Sequence, residues 1–222
     1  MRRFLVALVV FGMVGVAGTA LADNLTLTTG GTYQNVNITD PTGIAKGSSA
    51  GLFQVDFGSP ATRYDAFCVD YADINWNTLY TNFSMIALPN LDPYKEAAWI
   101  FQNYGSANPA AAQAAVWEVV FEGLSGGTPG DLTKGEFILN SGLSGADIIV
   151  AQGLVTAALA NGPGFDASDY RLLVSPTATG VYYGELEQDW IVRVGVPEPG
   201  ILLMLGFGLV GTAIVARRRM KK

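Results

Sequence analysis

One cysteine and no histidine leave this 222-residue chain few routes to covalent chemistry. Without histidine, Ser-His-Asp and Cys-His nucleophile systems are excluded, as are ordinary His-bearing zinc sites. Cys68, the one thiol, lies in Phe67-Cys68-Val69-Asp70, so no intramolecular disulfide can form. A thiolate is a strong nucleophile, and the residue to set beside it is Gln113, in Ala112-Gln113-Ala114-Ala115-Val116-Trp117. On a helix Gln113, Val116 and Trp117 share one face at i, i+3 and i+4. Gln113 then points where the helix packs, and a buried amide there is costly unless something uses it. The plainer alternative makes Cys68 a small buried hydrophobe and leaves the Gln113 amide to backbone or solvent.

These residues need elements to hold them. Asn24 to Ile38 reads as a β-hairpin around Gly30-Gly31, with its alternating threonines on the wet side. Gly51 to Phe57 alternates cleanly as a strand. Tyr64 to Tyr71 is another, with Cys68 in its middle, Phe67 and Val69 on one face and Ala66, Cys68 and Asp70 on the other. Leu79 to Leu88 reads as a fourth. A helix follows with Asp92 as cap and Pro93 at its first position, ending at Gly105. A second has Asn108 as cap, Pro109 at its first position and a stop at Gly123. Trp99 and Trp117 read as core, and Glu118 and Glu122 as a solvated face. After a Gly/Ser-rich loop and a weak segment comes a third helix, about Ser144 to Leu159. Strands return at Tyr170 to Val174, Gly180 to Tyr183 and Asp189 to Val196. The order predicts one α+β domain, an antiparallel sandwich- or barrel-like framework with a helical insertion.

The stretch from Tyr64 to Gly123 resembles the thioester domains of bacterial surface adhesins. That family carries an aromatic-Cys-apolar-Asp/Asn motif on a strand, and a downstream helix with Gln followed four residues later by Trp. The resemblance implies that the Cys68 sulfur attacks the Gln113 side-chain carbonyl and expels ammonia, leaving an internal thioester. Phe67 and Trp117 would shield it from water and Asp70 would help position the cysteine. A surface or matrix polymer bearing amines or hydroxyls would then open the bond and become covalently attached. Such a reagent is used once, so the expectation is no enzyme and no cofactor. The resemblance has departures: the long stalk of many such adhesins is missing, and the sorting tail is of a different kind.

Other constellations carry less. Asp70 and Asp73 lack the glycine and terminal glutamate of a calcium loop, and no metal site is expected. Gly30-Gly31 and Gly126-Gly127 read as turn material rather than a phosphate cradle.

The two ends read as addresses. Met1-Arg2-Arg3, the apolar run Phe4 to Val16 and Ala20-Leu21-Ala22 have the form of a signal peptide over residues 1–22, cleaved before Asp23. At the other end Val196-Pro197-Glu198-Pro199 precedes an uncharged apolar run, Ile201 to Ala216. Residues 217–222, led by Arg217, Arg218 and Arg219, form a basic tail. A 16-residue helix spans about 24 Å against a hydrocarbon core of about 30 Å, a deficit that snorkelling arginines can shorten. Residues 196–222 resemble the PEP-CTERM sorting signal of Gram-negative bacteria, which implies a transmembrane helix in the inner membrane and processing by an exosortase. Between the addresses, residues 23–195 carry six cations and 18 acids, a net charge near −12. So acidic a domain makes a poor partner for nucleic acid. The second functional class consistent with the sequence is a non-reactive structural component of an extracellular matrix or biofilm, sorted by the same tail.

Overall fold

The computed structural model describes residues 22–70, 76–105, 107–175 and 188–194. The expected signal helix, the Gly180 to Tyr183 strand, and the sorting motif with its transmembrane helix lie outside the described residues. So does Ala20, whereas Ala22 opens the first strand. Among the described residues no helix is long and apolar enough to cross a membrane.

The expected hairpin over Asn24 to Ile38 is instead one long strand, β1 (Ala22–Thr39), paired antiparallel with β2 (Ala45–Phe57). Gly30 and Gly31 sit at a bulge, where the register shifts between Thr28–Gln54 and Thr32–Leu52. A Cβ on Gly31 would collide with the Leu52 carbonyl oxygen, and one on Gly51 would lie 2.5 Å from the Tyr33 Cα. These glycines let two backbones close on each other rather than reverse direction. The reversal comes after Thr39: Asp40 Oδ1 accepts from Thr42 N at 2.9 Å and Ile44 N at 3.2 Å, and Gly43 supplies φ +80°.

The other strands are β3 (Thr62–Cys68), β4 (Leu79–Ala87), β5 (Ile138–Ser141), β6 (Tyr170–Val174) and β7 (Trp190–Arg193). Six of the seven described strands close an antiparallel ring in the order β1-β2-β3-β7-β6-β4 and back to β1. The short β5, which the sequence reading missed, pairs with the far end of β1, at Asn37–Thr39. Helices α1 (Asp92–Asn103), α2 (Pro109–Ser125) and α3 (Gly145–Asn161) are inserted between β4 and β6. The architecture is therefore the β-rich α+β framework with a helical insertion that the element order predicts.

The β1–β2 ribbon buries opposite faces at its two ends. Leu25, Leu27, Phe53 and Val55 are buried on one face at the ring end. Toward the tip the buried residues are Val36, Ile38 and Ala50, which lie on the other face; there the first face carries the exposed Tyr33, Asn35 and Asn37. A strand pair long enough to serve two cores has to change which face is apolar, and this one does so across the glycine bulge.

Helix α2 is the central element. Asn108 caps it by accepting from Ala110 N at 3.0 Å, and Pro109 opens it. It runs past Gly123 to Gly126, whose φ of +82° ends it. Gly123 serves packing: a Cβ there would lie 2.6 Å from Pro93 Cγ, so glycine lets α1 approach. In α1 the cap position belongs to Leu91, with Asp92 the first helical residue, 3.8 Å from Lys95 Nζ.

Every residue of α2 from Ala110 to Glu122 is buried, which corrects the reading of Glu118 and Glu122 as a solvated face. Glu118 Oε1 accepts from Gly130 N at 2.7 Å and Asp131 N at 3.1 Å. Glu122 Oε1 accepts from the Glu136 and Phe137 amides. The two carboxylates thus clamp the loop that leads from α2 to β5. Burial pushes the Glu118 carboxyl up to about 7 against its backbone donors, with the Glu122 charge adding to the rise. Glu96 on α1 is likewise raised to about 7, by burial and then by Asp92.

Both groups hold protons in the folded state that the unfolded chain releases above its ordinary value of 4.5. Their contribution is therefore present at low pH and is lost as pH rises through about 7. Urea unfolding is expected to show stability falling between pH 5 and 8, by up to about 1.4 kcal/mol per pH unit for each proton, with a shallower slope in Glu118→Gln. Stability that is flat or rising over that window would contradict this.

Candidate functional site

Strand β3 stops at Cys68 instead of running on to Tyr71, so Cys68 is its last residue rather than its middle. Ala66, Phe67, Cys68 and Val69 are all buried, leaving this end of the strand without a wet face. Pairing with β2 runs from Phe57–Thr62 to Phe53–Ala66 and then ends. Residues two apart on a strand present their N–H and C=O to the same side, so Cys68 offers both groups to the gap that β2 has left.

Gln113 fills that gap. Cys68 N donates to Gln113 Oε1 at 2.8 Å, and Gln113 Nε2 donates to the Cys68 carbonyl oxygen at 2.8 Å. The side-chain amide acts as a peptide group of a missing strand, and both residues are 0% exposed. Val69 N turns the opposite way, to Asp189 O at 3.1 Å, and carries the ladder on toward β7. The structure therefore brings together the cysteine and the glutamine that the sequence singles out.

The expected supporting residues take distinct places. Trp117 is fully buried on the same helix, and its Nε1 donates to the Asp70 carbonyl at 3.0 Å. Asp70 Oδ2 accepts from Asp189 N at 2.7 Å, so its carboxylate fastens the chain after Cys68 to the start of β7. Gln188 Nε2 approaches the Asp70 carbonyl at 3.4 Å. Phe67 sits edge-on to Phe101 and Tyr104 at centroid distances of 4.9 and 5.5 Å, sealing the α1 side.

Burial, with the negative charge of Asp70 adding, pushes the Cys68 thiol well above its ordinary value, against a backbone hydrogen bond that lowers it. The thiol is held neutral at physiological pH and is a poor nucleophile toward anything diffusing from solution. The Gln113 carbonyl, by contrast, is polarised by a buried N–H in a water-poor setting, as an oxyanion-hole donor polarises its substrate. Among the described residues no group of three His, Cys, Asp or Glu side chains is placed to hold a metal ion. Sequence reasoning missed the buried Gln188, whose surroundings carry no pattern that marks it.

Residues 195–219 match the PEP-CTERM protein-sorting motif. The match covers Pro197, Glu198, Pro199 and the Arg217–Arg219 cluster, and marks the chain as an exported protein handled by an exosortase through a membrane-anchored sorting intermediate. Neither a curated protein nor a solved structure matches the chain.

Proposed function

We propose that this exported, exosortase-sorted protein attaches covalently to a surface or matrix polymer through an internal thioester between Cys68 and Gln113. The observation that supports the reading is the reciprocal pair of 2.8 Å hydrogen bonds between Cys68 and the Gln113 amide, with both residues fully buried. Three bonds separate the donating Cys68 nitrogen from its own sulfur, and the Gln113 Oε1 that it grips is bonded to the electrophilic carbon. The sulfur and the carbon it would attack thus belong to residues already in direct contact.

The step balances without a cofactor. The sulfur forms a bond to the carboxamide carbon, the C–N bond breaks, and the thiol proton leaves on nitrogen as ammonia. The Cys68 N–H stabilises the oxyanion of the tetrahedral intermediate. An amine of the target polymer later attacks the same carbon, giving an amide and returning the thiol; a hydroxyl gives an ester. Burial protects the acyl group from water until local opening admits the target. Each molecule reacts once, so the protein is a reagent and not an enzyme.

The same two hydrogen bonds also serve the second reading, a non-reactive matrix protein in which the amide only plugs the strand gap. Thiol titration of the full-length protein separates the two. The reactive reading expects no thiol on denaturation in amine-free buffer, and one thiol per chain after methylamine treatment. One thiol per chain on denaturation without methylamine would sink the thioester.

A further inference from the structure

Where the β1–β2 ribbon leaves the ring, the face that carries Asn35 and Asn37 lines a cavity of about 450 Å³. The polar side chains on that face are Asn35, Asn37 and Ser49, with Gln188 beside them, amides and a hydroxyl that both donate and accept. Its apolar wall is part aliphatic, Leu27 and Val36, and part aromatic, Phe53 and Trp76. Trp76 lines it, stacked on the exposed Tyr33 with centroids 4.8 Å apart, and Phe53 lies 5.8 Å beyond Trp76. Tyr33 is 43% exposed, so part of its ring is open to solvent. Among the described residues that line the cavity none is charged.

We propose that this cavity is a binding site for a neutral polysaccharide. Sugar rings present C–H faces that stack on aromatic rings, and rims of hydroxyls that amides and hydroxyls recognise. A site built for a peptide terminus, a nucleotide or an acidic glycan would carry a compensating charge, and the described residues of this wall carry none. The domain's net charge near −12 further disfavours anionic polymers. The cavity adjoins the Cys68 strand: Phe53 pairs with Ala66 and packs edge-on against Trp190 at 5.1 Å, and Gln188 reaches the Asp70 carbonyl. Glycan binding here is reversible and stands independently of the thioester.

Affinity gel electrophoresis of the full-length protein in detergent tests it, with dextran, soluble starch, mannan or galactan cast in the gel and alginate as the acidic comparison. The wild type before and after methylamine treatment is expected to be retarded alike by at least one neutral polymer and not by alginate. Tyr33→Ala and Asn35→Ala, both exposed positions, are expected to weaken that retardation about ten-fold each. No retardation by any neutral polymer, retardation by alginate, or retardation indifferent to both substitutions would overturn the proposal. Loss of retardation on methylamine treatment alone would overturn the independence from the thioester.

Discussion

Cys68→Ala is expected to lower the unfolding free energy by about 5 kcal/mol. Cys68 and Gln113 are 45 residues apart, and cross-linking a loop of that size restricts the unfolded chain by roughly 4 kcal/mol. Removing a small buried sulfur adds on the order of 1 kcal/mol. Alanine keeps the backbone N–H and C=O that Gln113 grips, so without a covalent bond only the smaller contribution would be lost. Urea unfolding in amine-free buffer reads the difference directly, and a loss near 1 kcal/mol would contradict the cross-link. Gln113→Ala is expected to be worse than Cys68→Ala under either reading. It leaves the buried Cys68 N–H without its acceptor under either reading, at about 1–3 kcal/mol, and the Cys68 C=O without its donor where the amide is intact.

The second large effect belongs to Trp117. Trp117→Ala is expected to cost about 3–5 kcal/mol, because the fully buried ring packs on Phe137 at 5.7 Å and its removal opens a cavity beside Gln113. Trp117→Phe keeps most of that volume and loses the Nε1 bond to the Asp70 carbonyl, worth about 1 kcal/mol. The two variants also divide the role of the ring. If its bulk seats Gln113 against β3, thioester yield falls in the alanine variant and survives in the phenylalanine one. Equal yields in both would remove Trp117 from the positioning of the site.

Helix spacing alone directs Gln113 inward, whereas its pairing with Cys68 came from the resemblance to thioester domains, because strand alternation sets Cys68 on the same face as Asp70. The prolines that open α1 and α2 and the element order also carried the α+β framework. What escaped had a common cause: its meaning depends on contacts made far away in sequence. A glycine pair between apolar runs reads as a turn, yet Gly31 faces the Leu52 carbonyl across a strand pair that needs no turn there. Gly123 reads as a helix stop, yet its missing Cβ makes room for Pro93. Glu118 and Glu122 have the spacing of a wet face, and they are buried because backbone amides of residues 130–137 supply their hydrogen bonds. Backbone donors leave no mark in a sequence.

The central claim is a covalent bond, and intact mass tests it most directly. The full-length protein, purified without amines, would be weighed beside Cys68→Ala and Gln113→Ala prepared in the same way. The account predicts a wild-type mass one ammonia below that calculated for its chain, with both variants at their calculated masses. A wild-type mass equal to the calculated value would contradict it, leaving Gln113 as the amide that completes a strand.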